Sequence, residues 1–151
     1  MTSDNIVVIG AGALGLSTAL HCALLGRPVV VVERDTAGSQ ASGRAAGLFK
    51  SVQADELRTI IARRSIDRAL SFGDWAGAPL EVTRSGSFLV ARTDAHRAYL
   101  RTEAAQSSGW GVPVAEAPLS GAVSYYQGDG TELALWCPED VYIEEPMSLV
   151  T

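Results

Sequence analysis

The sequence predicts an α/β fold opening on a βαβ unit, and three observations carry that reading. Asn5-Ile-Val-Val-Ile9 is a short apolar run rich in β-branched residues, the pattern of a strand buried on both faces of a parallel sheet. Gly10-Ala-Gly12-Ala-Leu-Gly15 then gives the spacing G-x-G-x-x-G, and Leu16, Ala19, Leu20, Ala23 and Leu24 follow at helical period. A second fully apolar run, Val29–Val32, ends at the acid Glu33. Gly26 suits the end of the intervening helix, where a left-handed residue closes the last turn.

The glycine spacing has a geometric meaning. Gly10 permits the turn out of the strand, Gly12 lets backbone approach a pyrophosphate with no Cβ in the way, and Gly15 lets the helix pack close on the strand. The helix N-terminus, with Ala13 and Leu14 in its first turn, offers unpaired N–H groups and a positive dipole end to the phosphates. Glu33 lies 18 residues beyond Gly15. At the carboxyl end of the second strand it is placed to accept from both ribose hydroxyls and to repel a 2′-phosphate, which disfavours NADP. Strand, helix and acid agree on a bound dinucleotide; by themselves they do not separate FAD from NAD.

The composition narrows the remaining classes. With 151 residues, 47% apolar and 19% charged, the chain has enough apolar surface for one packed domain and too much for a disordered or fibrous one. A net charge of -5 excludes a broad basic footprint, so nucleic acid is not an expected partner. Cys22 and Cys137 are too few and too far apart for a disulfide scaffold or a metal site. Read as reduced, mostly buried thiols, they point to the cytoplasm. Residues 6–25 are apolar enough to raise a signal peptide or membrane helix. Against it, Asp4 stands where a basic segment belongs, five of the six residues 10–15 are Gly or Ala, and His21 interrupts the remainder. No transmembrane segment is expected.

Residues 35–50 are small, with few groups to fill a core, which suits a loop wrapped around a ligand. The series Glu33, Arg34, Gly38, Ser42, Gly43 and Gly47 resembles the D-amino acid oxidase and glycine/sarcosine oxidase-like flavoproteins. There the corresponding segment carries the chain past the FAD pyrophosphate toward the isoalloxazine ring. Ser42-Gly-Arg-Ala-Ala46 looks closest to members acting as amino-acid dehydrogenases. The resemblance implies FAD rather than NAD, with residues 42–48, Arg44 included, at the inner phosphate and ring, and Gly47 and Leu48 nearest the ring. It also implies a Rossmann-like FAD-binding βαβ unit and flavin loop over residues 1–50. Residues 51–151 would then begin a mixed α+β substrate-binding region, truncated relative to the family's fold.

Beyond the loop the pattern turns helical over residues 54–75, with Leu57, Ile60, Ile61, Ile66, Ala69 and Leu70 as the expected buried face. Arg58, Arg63, Arg64 and Arg68 read as a solvated face rather than an anion site. Residues 79–86 and 87–91 read as two short strands around Gly86. Asp94 is the expected N-cap of a helix over 95–106, ended by Ser107-Ser-Gly109. His96 and His21 read as exposed helical residues, since no nucleophile or carboxylate is set around either. Candidate strands at 124–126 and 133–136 carry Tyr125, Tyr126 and Trp136, which suit a pocket wall or, more commonly, core packing. Glu144, Glu145 and Pro146 announce a further helix, Pro146 at its first position.

The expected function is FAD-dependent oxidation of an amine or amino acid, with hydride passing from the substrate α-carbon to flavin N5. The substrate carboxylate's usual Arg and Tyr partners come from later in the family's chain, so no catalytic residue is assigned and the fragment alone is expected to be inactive. An NAD-dependent dehydrogenase and a non-catalytic Rossmann-type interaction module are the alternatives. Substrate identity, covalent attachment of the flavin, oligomeric state and reoxidation by oxygen or a membrane quinone stay open.

Overall fold

The computed structural model describes residues 5–119, 126–128, 130 and 132–150. They form two compact units, one running up to Gly47 and resuming at Glu144, the other comprising Leu48–Ile143.

In the first unit, strand β1 (Ile6–Ile9), helix α1 (Ala13–Leu24) and strand β2 (Val29–Val32) make the expected βαβ unit. The strands pair in parallel from Ile6 opposite Val29 to Ile9 opposite Val32. Gly10 N–H extends the ladder to the Val32 carbonyl at 2.8 Å. Gly26, at φ +72°, follows the helix as expected. The strands are not buried on both faces, however. Ile6, Val8, Val29 and Val31 are half-buried, while Val7, Ile9, Val30 and Val32 are exposed, Ile9 at 87%. A parallel strand buries both faces only between two layers, and here α1 packs on the pair from one side. A 3-10 helix, Ser42–Arg44, lies in the following loop, and a second one, Pro146–Leu149, packs against it. Pro146 opens the latter as expected, with Glu145 as its cap.

The second unit is built on two antiparallel sheets. One orders β3 (Leu48–Phe49), β8 (Val141–Ile143) and β4 (Val82–Thr83); the other orders β5 (Ser87–Ala91), β7 (Leu133–Cys137) and β6 (Ala115–Glu116). The two strands flanking Gly86 therefore belong to different sheets and do not form a hairpin. Gly86 donates to the Asp140 carbonyl, and its φ of +60° turns the chain from one sheet to the other. Helix α4 (Asp94–Gly109) packs on β5 and β7, where Leu100 joins Ala91, Leu133 and Leu135 in one core cluster. Val52, Val112 and Cys137 form a second cluster.

Three boundaries and faces differ from expectation. Helix α2 (Glu56–Leu70) buries Thr59, Ile66 and Ala69, leaving Leu57, Ile60 and Ile61 exposed; α3 (Phe72–Ala76) follows it. The buried positions 59, 66 and 69 make one narrow stripe, and the adjacent apolar positions fall outside it. The cap of α4 is Thr93, whose Oγ1 accepts from the His96 N–H at 3.3 Å; Asp94 lies inside the helix, pairing with Arg97. That helix also runs through Ser107 to Gly109, with Ser107 fully buried. Residues 120–125, with Tyr125, lie outside the described residues.

Candidate functional site

The glycine turn, the acid and the serine come together within the first unit. Gly12 stands as N-cap of α1 in an extended conformation and offers no side-chain cap, so the helix end is open to another acceptor. Ser42 supplies one: its Oγ accepts from the Ala13 N–H at 2.9 Å. A Cβ on Gly12 would stand 3.1 Å from that oxygen, so the glycine keeps the cradle open. A Cβ on Gly15 would fall on the Gly10 carbonyl, well inside contact distance, which is the close helix-to-strand approach expected of the third glycine.

Glu33 is placed as the spacing implies. Its Oε2 accepts from the Ala11 N–H at 2.7 Å and its Oε1 from the Asp35 N–H at 3.0 Å. These donors, Ala11 first, hold its carboxyl below the usual carboxylate range, so it is ionised at neutral pH. A fixed anion stands at the end of β2, beside the helix N-terminus that favours phosphate. An ionised carboxylate and a glycine-lined helix end stand side by side, and the residues present fit a dinucleotide.

The loop closes on itself by Gly43 N–H to the Gly38 carbonyl at 2.8 Å, and on the glycine turn by Gly38 N–H to the Ala11 carbonyl at 2.9 Å. Gly38 (φ +69°) and Gly47 (φ +74°) both need a left-handed backbone. Gly10, Gly12, Ala13, Gly15, Glu33, Ser42 and Gly43 are thus brought into one neighbourhood. Leu14, Arg34 and Arg44 are exposed, Leu14 at 87%, and Leu48 opens β3 in the second unit. Ala11 was not singled out in the sequence. Its N–H and C=O tie acid and loop to the turn, and a backbone role leaves no signature in residue type.

Elsewhere the candidates resolve into structural roles. Arg58 pairs with Asp55, Arg63 makes a two-bond contact with Glu139 at 3.0 and 3.1 Å, and Arg68 lies 4.1 Å over the Trp75 ring. Trp136 packs 4.8 Å from Phe88, and Tyr126 meets Arg92 through its hydroxyl. His21 is exposed on α1 with Nδ1 2.8 Å from the Ser17 carbonyl. Cys137 is fully buried, Cys22 partly, and neither is in a disulfide. Among the described residues there is no cluster fit for a metal ion, and no helix is long and apolar enough to cross a membrane.

Fold and site together define a dinucleotide-binding protein built on a βαβ unit. The family model described as FAD dependent oxidoreductase matches residues 5–151, and the chain belongs to that family. The alternative of an NAD enzyme is thereby set aside. The chain is 46% identical over 46 residues to glycine oxidase of Pseudomonas aeruginosa, covering 30% of this chain and 13% of that one. It is 43% identical over 49 residues to one subunit of the anaerobic glycerol-3-phosphate dehydrogenase of Escherichia coli K12, covering 32% and 9%. Among solved structures, L-proline dehydrogenase from P. horikoshii superposes with a TM-score of 0.87 at 22% identity over 98% of this chain and 40% of its own. Glycine oxidase from Geobacillus kaustophilus gives 0.78 at 21% identity, over 95% and 41%. The chain therefore spans less than half the length of either structure.

Proposed function

We propose that this chain holds FAD in its first unit and forms part of an oxidoreductase acting on an amine or amino acid. The observation that carries the reading is the meeting of three anchors on one helix end: the glycine turn, Glu33 bonded to the Ala11 N–H, and Ser42 on the Ala13 N–H. Bound there, FAD would supply the chemistry, a two-electron oxidation of the substrate at its α-carbon. The chain's own work is binding and orientation. Gly12 and the first turn of α1 would face the pyrophosphate, with Leu14 contributing backbone and Ala13 anchoring Ser42 through its N–H. Glu33 accepts from the ribose hydroxyls. Ser42, Gly43 and Arg44 serve the inner phosphate, and Arg34 flanks the acid.

Gly47 and Leu48 are assigned to the ring side on the family resemblance. A small amine or amino acid as substrate is supported by the names of the glycine oxidase and L-proline dehydrogenase relatives. We further propose a Rossmann-type core, reoxidation by a quinone or other acceptor, and a cytoplasmic location, which two free cysteines favour.

The test is a flavin titration of the full chain followed by absorbance and fluorescence, beside Gly12→Glu and Glu33→Ala. Saturable FAD binding lost in Gly12→Glu and weakened in Glu33→Ala is expected. Absence of FAD binding by the wild type, or equal binding by Gly12→Glu, overturns the reading.

A further inference from the structure

Residues 145–150 return to the first unit and pack beneath the flavin loop, at a place the sequence did not mark. Glu145 Oε1 accepts from the Met147 N–H at 3.2 Å, Ser148 Oγ donates to the Glu145 carbonyl at 2.5 Å, and Val150 N–H donates to the Met147 carbonyl at 2.9 Å. These bonds fix a tight turn that presents Met147 and Val150 to one side of the loop. A Cβ built on Gly43 would stand 2.5 Å from Met147 Sδ and 2.7 Å from the Gly38 carbonyl oxygen. One built on Gly38 would stand 3.0 Å from the same sulfur and closer still to a Val150 methyl. Both glycines lie directly on this apolar floor, and neither tolerates a side chain above it.

The loop transmits that contact to the helix end. Gly43 N–H bonds to the Gly38 carbonyl, Gly38 N–H bonds to the Ala11 carbonyl, and Ser42, next to Gly43, places its Oγ on the Ala13 N–H. We infer that Met147 is a positioning residue for the dinucleotide site: by bearing on Gly38 and Gly43 it holds Ser42 over the N-terminus of α1. It acts through the loop, against whose glycines it packs. The flexible, polarisable thioether suits this place, since it fills an irregular gap against bare glycine backbone. The inference rests on the FAD reading for its functional consequence; its geometry does not.

Two readouts test it. In the FAD titration Met147→Ala weakens binding on the order of tenfold, and Met147→Leu, which keeps the volume, restores most of it. Without FAD, hydrogen exchange at the Ala13 amide is faster in Met147→Ala and near wild type in Met147→Leu, while the amides of β7 are unchanged. Ser42→Ala reproduces both effects, and Ser42→Ala with Met147→Ala adds nothing further, because both act at one bond. If the alanine variant does not fold, Met147→Val is read in the same way. Unchanged Ala13 exchange in the truncated variant, equal effects of Leu and Ala, or full additivity with Ser42→Ala each overturns the proposal. A wild type that binds no FAD defeats the functional reading, while the Ala13 exchange still decides the role of Met147.

Discussion

Asp140 offers the sharpest test of how the second unit is held together. Its side chain is fully buried, and Oδ1 accepts from Ser51 N–H at 2.7 Å and Ser51 Oγ at 2.6 Å, while Oδ2 accepts from Ser87 Oγ at 2.5 Å. Three donors from two distant segments thus converge on one carboxylate at the β7–β8 turn. Asp140→Ala leaves all three without their acceptor, the two of Ser51 fully buried and that of Ser87 partly so. Each charge-assisted bond is worth about 1.5–3 kcal/mol, but part of that sum offsets the cost of burying the carboxylate. Each buried donor stranded by the change costs about 1–3 kcal/mol, together a large share of the roughly 5–15 kcal/mol that stabilises a domain. Asp140→Asn keeps the shape and one acceptor oxygen for Ser51, and turns its amide toward Ser87, whose hydroxyl can rotate to accept; its expected cost is about 1–2 kcal/mol. Urea unfolding followed by Trp fluorescence reads both. An alanine variant within about 0.5 kcal/mol of wild type, or an asparagine variant as unstable as the alanine one, would refute this account.

The other expectations are simpler. Gly15→Ala sets a methyl against the Gly10 carbonyl, so it should cost about 1–3 kcal/mol as overpacking and weaken FAD binding; an unchanged urea midpoint would count against the close approach. Glu33 has its folded pKa lowered by the Ala11 and Asp35 N–H groups, so its contribution is present above the ordinary carboxylate range and lost as pH falls through the folded value. The stability difference between wild type and Glu33→Gln should therefore shrink in acid, and a difference independent of pH would contradict it. Burial, with Asp140 second, pushes the Cys137 thiol up to about 11. Raised above its unfolded value, it contributes stability that is full below the unfolded pKa and lost as pH rises toward the folded one, about 2–3 kcal/mol in all. Thiol reagents should then label Cys22 in the native chain and Cys137 only on unfolding. For Arg63 and Glu139, both partly exposed, a double-mutant cycle should give no more than about 1 kcal/mol.

Local chemistry made the first unit legible. The run Ile6–Ile9, the glycine spacing and Glu33 lie within one stretch of chain, and each acts through backbone geometry that residue type alone dictates: a missing Cβ, a left-handed turn, a carboxylate at a strand end. The caps and burial stripes of α2 and α4 were less legible. Thr93 and Asp94 are both competent caps, and which of them holds the role depends on where the helix docks. The apolar residues of α2 exceed what one contact face can cover, so burial chose 59, 66 and 69 over 57, 60 and 61. Residue type also says nothing of Ala11, which works through its N–H and C=O, or of Asp140, whose partners Ser51 and Ser87 stand 89 and 53 residues away. Sequence determined the glycine turn and the acid beside it, because these parts lie close along the chain and follow from residue type. Only tertiary structure decided what braces it, because Met147 meets Gly38 and Gly43 across more than a hundred residues, and such a contact leaves no periodicity or spacing to read.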